Sequence, residues 1–420
     1  MAQDTTAPED LDSFRLRART WLADNLPRIA QGTAAMDLQE SQQADPTRAR
    51  ELQRKLFDGG FAGICYPKEY GGQGLPREHQ RAFNEESAPY EMPLVFNIPT
   101  LSILAPTILD FGTEEQKKRH LPAILRGEEL WVQFLSEPTG GSDLAGVLTR
   151  ATRDGDVWVL NGSKIWSSGA FRSDYALCLA RTDWEAPKHR GLTMFIVKIH
   201  QPGIEIQQIM MVNGMREFCQ EFFTDVHLPA ENVLGAVNDG WTVASRLLYH
   251  EREAVGGGSQ YVSGMSVGAR SGPMRDLADL AIAKGRAGDA RVRQLVGEAH
   301  ANDAVQRQLI ERIGASIRLG VLPPPAGAIP RLYGGMNSVR RSSIGLDIAG
   351  ADAVAWADDD SPEEGIGTFF VMRQGSCLGG GSTEMARNII SERVLGMPRE
   401  YAADRDKPFD QVQRNRMPSR

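Results

Sequence analysis

Two separate stretches of this chain carry residue types suited to chemistry. Residues 134–146 read FLSEPTGGSDLAG. Serine, glycine and proline at this density make a turn that exposes hydroxyls and backbone N–H groups, which can hydrogen-bond a planar heterocycle or a phosphate. The same composition also describes an ordinary decorated turn. Residues 247–258 read LLYHEREAVGGG. On a helix, Glu251 has Leu247, Leu248, Ala254 and Val255 as surface neighbours, and none carries a charge. An acid on that face is either desolvated, which raises its proton affinity towards that of a general base, or paired with a group from another element. Glu253 is the weaker candidate, on a different side of the same helix.

The elements that hold these residues follow from periodicity. Leu11, Phe14, Ala18, Trp21 and Leu22 recur at helical spacing up to Pro27. A second helical stretch stops at Gly59 and Gly60, and a third begins at Thr113, a good N-cap. Near residue 128 the texture changes. Residues 155–169 alternate about Asn161–Gly162, a pair that predicts a hairpin turn, and residues 191–199, 203–210 and 221–229 read as further strands. From Trp241 the helical period returns, with Val243, Leu247 and Glu251 on one stripe and glycines 256–258 interrupting it. Residues 291–317 are amphipathic helix, and a last helix begins at Ser382 or Thr383 and stops by Gly396 and Pro398. The expected class is α+β multidomain. An N-terminal helical domain (1–127) precedes a middle β domain (128–238) and a C-terminal four-helix-bundle-like domain (239–420).

Composition excludes little but points one way. Of 420 residues, 41% are apolar and 24% charged, the balance of a soluble globular protein. A net charge of −7 offers no reason to expect nucleic acid or an anionic membrane as partner. Four dispersed cysteines with no C-x-x-C pair favour a reducing compartment over a disulfide framework. The seven histidines show no metal-ligand spacing, so no metal site is expected. The polar N-terminus and the lack of a recognisable spanning run lead to an expectation of a cytoplasmic protein without membrane insertion.

The first motif has a second half. Ser136-Glu137-Pro138-Thr139-Gly140-Gly141-Ser142-Asp143 is followed by Asn161-Gly162-Ser163-Lys164-Ile165-Trp166-Ser167-Ser168. Together they resemble the signature of the acyl-CoA dehydrogenase family. The resemblance runs on through residues 112–124, 222–235 and 379–396, nearly the whole chain, and that family's fold has the same helix–β–helix order. It implies FAD as cofactor, lined by Gln133, Phe134, Ser136, Gly141 and Ser142, with Trp166 and Ser168 flanking the isoalloxazine. Ser142 would also touch the pantetheine of an acyl-CoA. A lone tryptophan at a strand end is more often core, and only its place in the motif argues otherwise.

The resemblance also poses a problem about the base. Many members carry it as the glutamate of a Tyr-Glu-Gly-Thr element before the last helix, where this chain has Gly380. A minority, similar to the isovaleryl and long-chain enzymes, uses a glutamate on a middle helix in a Leu-x-x-Glu-Arg context, which Glu251-Arg252 matches. The implied reaction is α,β-dehydrogenation of an acyl-CoA. Glu251 takes the α-proton, the β-hydride goes to flavin N5, and the Gly380 N–H serves the thioester oxygen. Tyr249 and Arg252 would contact the acyl-CoA, although Arg252 fits an ion pair equally well. Ser382 and Glu384 are further flavin-site candidates, and a glutamate in a first turn otherwise favours the helix dipole. Arg286 would reach the flavin pyrophosphate of a neighbouring subunit. The expected partners are an electron-transfer flavoprotein and further subunits, as homodimer, homotetramer or heterotetramer. Gly380 and an altered arginine element leave a non-catalytic or FAD-sharing subunit open, as well as a flavin oxidase or hydroxylase of the same fold.

Overall fold

The computed structural model describes residues 9–29, 42, 45–255, 258–264, 277–355 and 362–412. Helix α1 (Leu11–Asn25) is capped by Asp10, whose carboxylate accepts from the Ser13 N–H, and it buries Phe14, Ala18 and Leu22 as its spacing predicts. Helices α2 (Thr47–Asp58) and α3 (Arg77–Ser87) pack with it. Gly59 ends α2 where any Cβ would overlap the Trp21 indole. Helices α4 (Ala105–Phe111) and α5 (Glu114–Leu125) follow, the latter opened by a capping box between Thr113 and Gln116. One expectation is corrected here. Leu94–Phe111 is long and apolar enough to span a membrane, with mean hydropathy 1.5. It runs through a 3-10 turn, a π-helical segment and α4, with Asn97, Thr100, Ser102 and Thr107 interrupting its apolar residues, and 72% of it is buried within the protein.

The middle of the chain is an eight-stranded sheet: β1 (Trp131–Phe134), β2 (Arg150–Asp154), β3 (Val157–Ser168), β4 (Tyr175–Arg181), β5 (Leu192–Lys198), β6 (Ile204–Gln208), β7 (Phe218–Pro229) and β8 (Val233–Leu234). The order is β6-β7-β3-β2-β4-β5-β8, with β1 parallel to β4. Both faces of β4 and β5 are covered. Leu177, Leu179, Met194 and Ile196 face the helical core, while Ala176, Cys178, Phe195 and Val197 face a second cluster with Val132, Phe134 and Val226.

Asn161–Gly162 is not a hairpin turn. The β2–β3 turn lies at Gly155–Asp156, and β3 runs straight through 161–162 with a register shift against β7. The Asn-Gly pair serves a bulge instead. Gly162 has φ +144°, and a Cβ there would lie 2.7 Å from Thr149 Cα. Asn161 exchanges two 3.0 Å hydrogen bonds with Asp225, itself at φ +48°.

The third layer is helical: α6 (Gly240–Val255), α7 (Leu277–Ala283), α8 (Ala290–Arg318), α9 (Ala328–Ala349), α10 (Pro362–Met372) and α11 (Thr383–Ile389). Helix α6 lays Val243, Ala244 and Leu247 on the same core as Leu177 and Met194, so the chain's second chemical stretch is pressed against the sheet that carries the first.

A buried ion pair ties that sheet to its signature loop. Lys164 on β3 is fully buried, and its Nζ donates to Glu137 Oε1 at 2.9 Å and to the Leu135 carbonyl at 3.0 Å. Glu137 also accepts from the N–H groups of Leu148 (2.6 Å) and Thr149 (2.8 Å). Burial alone would raise the Glu137 carboxyl, but the Lys164 cation and these donors hold it below its ordinary value. Removing one partner strands the other, at a cost of about 3–5 kcal/mol. We expect Lys164→Met and Glu137→Gln each to lower the denaturation midpoint markedly, and the double variant to lose less than the sum. Strict additivity in that cycle, measured by urea denaturation, would show the two groups to be uncoupled.

Candidate active site

The two motif halves meet edge to edge. Besides the Lys164 contact with the Leu135 carbonyl, the Ile165 N–H donates to the Ser136 carbonyl at 3.0 Å. The next residue, Trp166, sits at φ +68° on a second register shift of β3. A bulky residue held there is strained, a condition that clusters at functional sites. The twist throws the indole out of the sheet, leaving it 52% exposed, with Phe218 edge-on at 5.9 Å between centroids. The core reading of this tryptophan is therefore set aside. Ser136, across from Ile165, and Ser168, just after Trp166 in the chain, are half-buried, and Gly141 and Ser142 are exposed. A Cβ on Gly141 would lie 3.5 Å from Ser136 Oγ, so these two expected lining residues adjoin. Phe134 departs from its expected place. Strand alternation turns its ring into the second sheet core against Phe223, at 5.7 Å, while its neighbour Gln133 faces the helices.

Gln133 reaches the acid on α6: its Nε2 donates to Glu251 Oε2 at 3.1 Å. Burial pushes the Glu251 carboxyl above its ordinary value, opposed by this hydrogen bond and by the fields of Arg252 and Arg331. The partner from another element is thus a neutral amide rather than a cation in contact. On the same helix, Arg246 Nε donates to Asp110 of α4 (2.6 Å), and Nε2 of His250, the residue before Glu251, pairs with it (2.9 Å), which anchors α6 to α4.

Gly380 and Gly381 lie at φ +70° and +94° just before α11. The turn leading into them is gripped by Arg331 of α9, which donates to the Ser376 carbonyl at 2.9 Å and to the Gly379 carbonyl at 2.6 Å. Ser382 caps α11 through the Met385 N–H at 3.2 Å. Glu384 is exposed, and its carboxyl is held below its ordinary value by the helix's own N–H, so both residues act in capping. Tyr249 is half-buried under the Arg246 guanidinium at 4.9 Å, and Arg252 is exposed. Arg286 donates to the Asp347 (2.8 Å) and Ile348 (2.9 Å) carbonyls at the end of α9. The arrangement joins a desolvated carboxylate to a strand, a hydroxyl-bearing loop and an exposed indole. Those parts can stack and hydrogen-bond a flat heterocycle beside a proton acceptor.

Sequence reasoning missed two groups. Arg331 is one arginine in an amphipathic helix and carries no local signal. Glu221 on β7 lies in register with Lys164 and is fully buried. Ser167 Oγ donates to one of its oxygens at 3.0 Å, and the other oxygen is buried with no hydrogen-bond partner. Burial pushes this carboxyl up to about 8. It is protonated in the fold and ionised when unfolded between its unfolded value and about 8, so its stabilising effect is complete at acid pH and is lost as pH rises through that window. Each pH unit across the window costs up to about 1.4 kcal/mol. Glu221→Gln should flatten this decline, giving a variant that is more stable than the parent at pH 8–9. Parallel stability curves for the two proteins across the same pH range would refute the buried neutral acid.

Residues 8–128 match the family model of the acyl-CoA dehydrogenase N-terminal domain, and residues 133–226 match that of the middle domain. The chain is 34% identical over 402 residues to the acyl-CoA dehydrogenase IpdE1 of Mycobacterium tuberculosis, covering 93% of this chain and 99% of the relative. Among solved structures, the Tcur3481-Tcur3483 steroid ACAD matches with a TM-score of 0.74 at 30% identity, over 95% of this chain and all of the other. The ChsE4-ChsE5 complex from Mycobacterium tuberculosis matches with a TM-score of 0.71 at 25% identity, over 95% of this chain and all of the other.

Proposed function

The chain belongs to the acyl-CoA dehydrogenase family, whose members are FAD-dependent flavoproteins, and from that premise we propose that it oxidises an acyl-CoA to the trans-2-enoyl-CoA with Glu251 as the base. The observation that carries this reading is the Gln133–Glu251 hydrogen bond, which brings the desolvated acid to the strand that leads into the signature loop.

The residues present suit the cofactor. An exposed indole on a strained bulge offers a stacking face, and Ser136, Gly141, Ser142 and Ser168 offer hydroxyls and N–H groups around it. Bound FAD supplies the acceptor for the β-hydride. The α-proton passes to a Glu251 carboxylate oxygen, and burial suits this group to a weakly acidic carbon because it favours the protonated product. Gln133 keeps the carboxylate oriented and moderates its proton affinity. At Gly380 the absent side chain leaves a backbone N–H suited to the thioester oxygen, where negative charge collects during α-proton removal. Because Glu251 must be ionised to accept, the rate falls as pH drops below its raised value.

The likeness to a steroid ACAD supports a CoA thioester of a steroid-derived acid as the substrate class, and membership of the family supports an electron-transfer flavoprotein as electron acceptor. Dispersed free thiols and the burial of Leu94–Phe111 support a cytoplasmic location. A second reading has an observation of its own. Both matched structures are pairs of differently named chains, which supports a heteromeric assembly in which this subunit shares the flavin or lacks activity alone.

Anaerobic mixing of the purified protein with such a thioester tests these readings through flavin bleaching. Glu251→Gln should keep FAD and acyl-CoA binding and slow bleaching about 10²–10⁴-fold, the usual contribution of a general base. Bleaching at most of the parent rate would remove Glu251 from the role. A colourless protein that takes up FAD only with a second chain would favour the shared-subunit reading.

A further inference from the structure

We infer that Arg331 is a positioning residue for proton abstraction: its guanidinium fixes the Ser376–Gly379 turn, and with it the Gly380 N–H, on the side of the site where Glu251 stands. The inference rests on the reading of Glu251 as base and adds a residue that this reading does not use.

Both terminal nitrogens of Arg331 are committed to one turn, Nη1 to the Ser376 carbonyl at 2.9 Å and Nη2 to the Gly379 carbonyl at 2.6 Å. Its Nε is buried and makes no hydrogen bond, so the guanidinium is fixed from the turn side alone. The next residues, Gly380 and Gly381, adopt left-handed backbone at φ +70° and +94°. Two consecutive glycines have the widest conformational freedom of any dipeptide, so the N–H direction at Gly380 depends on what anchors the turn before it.

A cavity cut for the guanidinium supports the assignment. Gly335 lies four residues further along α9, and a Cβ there would come within 2.9 Å of Arg331 Nη1, 2.9 Å of the Ser376 carbonyl oxygen and 3.3 Å of Thr383 Cγ2. A glycine at this point lets α9, the turn and α11 close around the fork. Arg331 also lies in the field of Glu251, and Glu251 in that of Arg331. The groups facing Glu251 are the neutral amide of Gln133 from β1, Arg252 on its own helix and Arg331 from α9. Cys377 is the other titratable group facing Arg331. Arg331 thus does two separable things. Its fork holds the turn, and its cation favours the ionised base. Lysine can supply the cation but not the fork.

The test is the pH profile of anaerobic single-turnover flavin bleaching by an acyl-CoA, using the complex with a second chain if flavin binding requires one. Arg331→Gln should leave flavin absorbance and acyl-CoA affinity near parent values. It should slow the maximal rate about 10- to 100-fold through the misplaced turn and move the acid limb up by about one pH unit. Arg331→Lys should return the limb to its parent position without restoring the rate. Parent rate and parent limb in Arg331→Gln would overturn the inference. Should that variant fail to hold flavin, Gly335→Ala carries the test, because it displaces the fork while retaining the charge. It should be slow with an unmoved limb, and a parent rate there would overturn the inference equally. Parent-rate bleaching by Glu251→Gln would instead overturn the reading of the base, whatever the Arg331 variants do.

Discussion

The site depends on a charge pair buried almost completely from water. Lys164 and Glu137 belong to the two halves of the signature, and their contact turns two stretches of sequence into one surface. The desolvation of two ions is offset by further hydrogen bonds: Lys164 also serves the Leu135 carbonyl, and Glu137 also accepts the Leu148 and Thr149 N–H groups. The loop between them can therefore leave Ser142 and Gly141 exposed without losing its shape. Directly along β3, the same anchoring lets Trp166 adopt a left-handed conformation that a free strand would discard.

From this anchor the geometry passes to Glu251, the base we propose, through strand alternation. On β1, Phe134 points into one core and Gln133 points the other way, to Glu251. A single pleat thus links the sheet's interior packing to the acid on α6. The α6 helix is in turn held by Leu247 and Val243 in the larger core and by Asp110 through His250 and Arg246. Base and loop are both referred to the sheet, so their relative position is set by packed elements rather than by exposed loops.

Much of this was legible in the sequence, for identifiable reasons. Glu251 stood out because an acid breaks an apolar stripe of period 3.6, and α6 forms where that stripe runs. Gly380 was legible only as a missing side chain within a motif. Asn161–Gly162 misled because the pair's turn propensity is local, whereas the bulge it serves is a register shift against β7, and the need for glycine comes from Thr149 on the other edge of β3. Trp166 was likewise legible as a site residue only through its place in the motif, since a strand's period gives a face but not the dihedral that exposes the indole. Arg331 was beyond reach. Its partners lie 45 and 48 residues away and are backbone carbonyls, which leave no mark on residue identity.

Placing the acid on a helix and a glycine at position 380 separates two tasks with opposite needs. A base gains from desolvation, because a raised proton affinity matches it to a weak carbon acid. An oxyanion donor gains from a fixed direction and no competing charge, because a carboxylate beside it would repel the charge it must stabilise. Glycine supplies the donor without the charge, but its backbone freedom leaves the direction undetermined. Some other group has to restore that direction. Among the described residues, the side chain that grips both ends of the preceding turn is Arg331, whose cation also offsets part of the burial that raises Glu251. On the proposed reading, the glycine at 380, the acid at 251 and the arginine at 331 answer one constraint, a base that stands on a helix instead of on the loop.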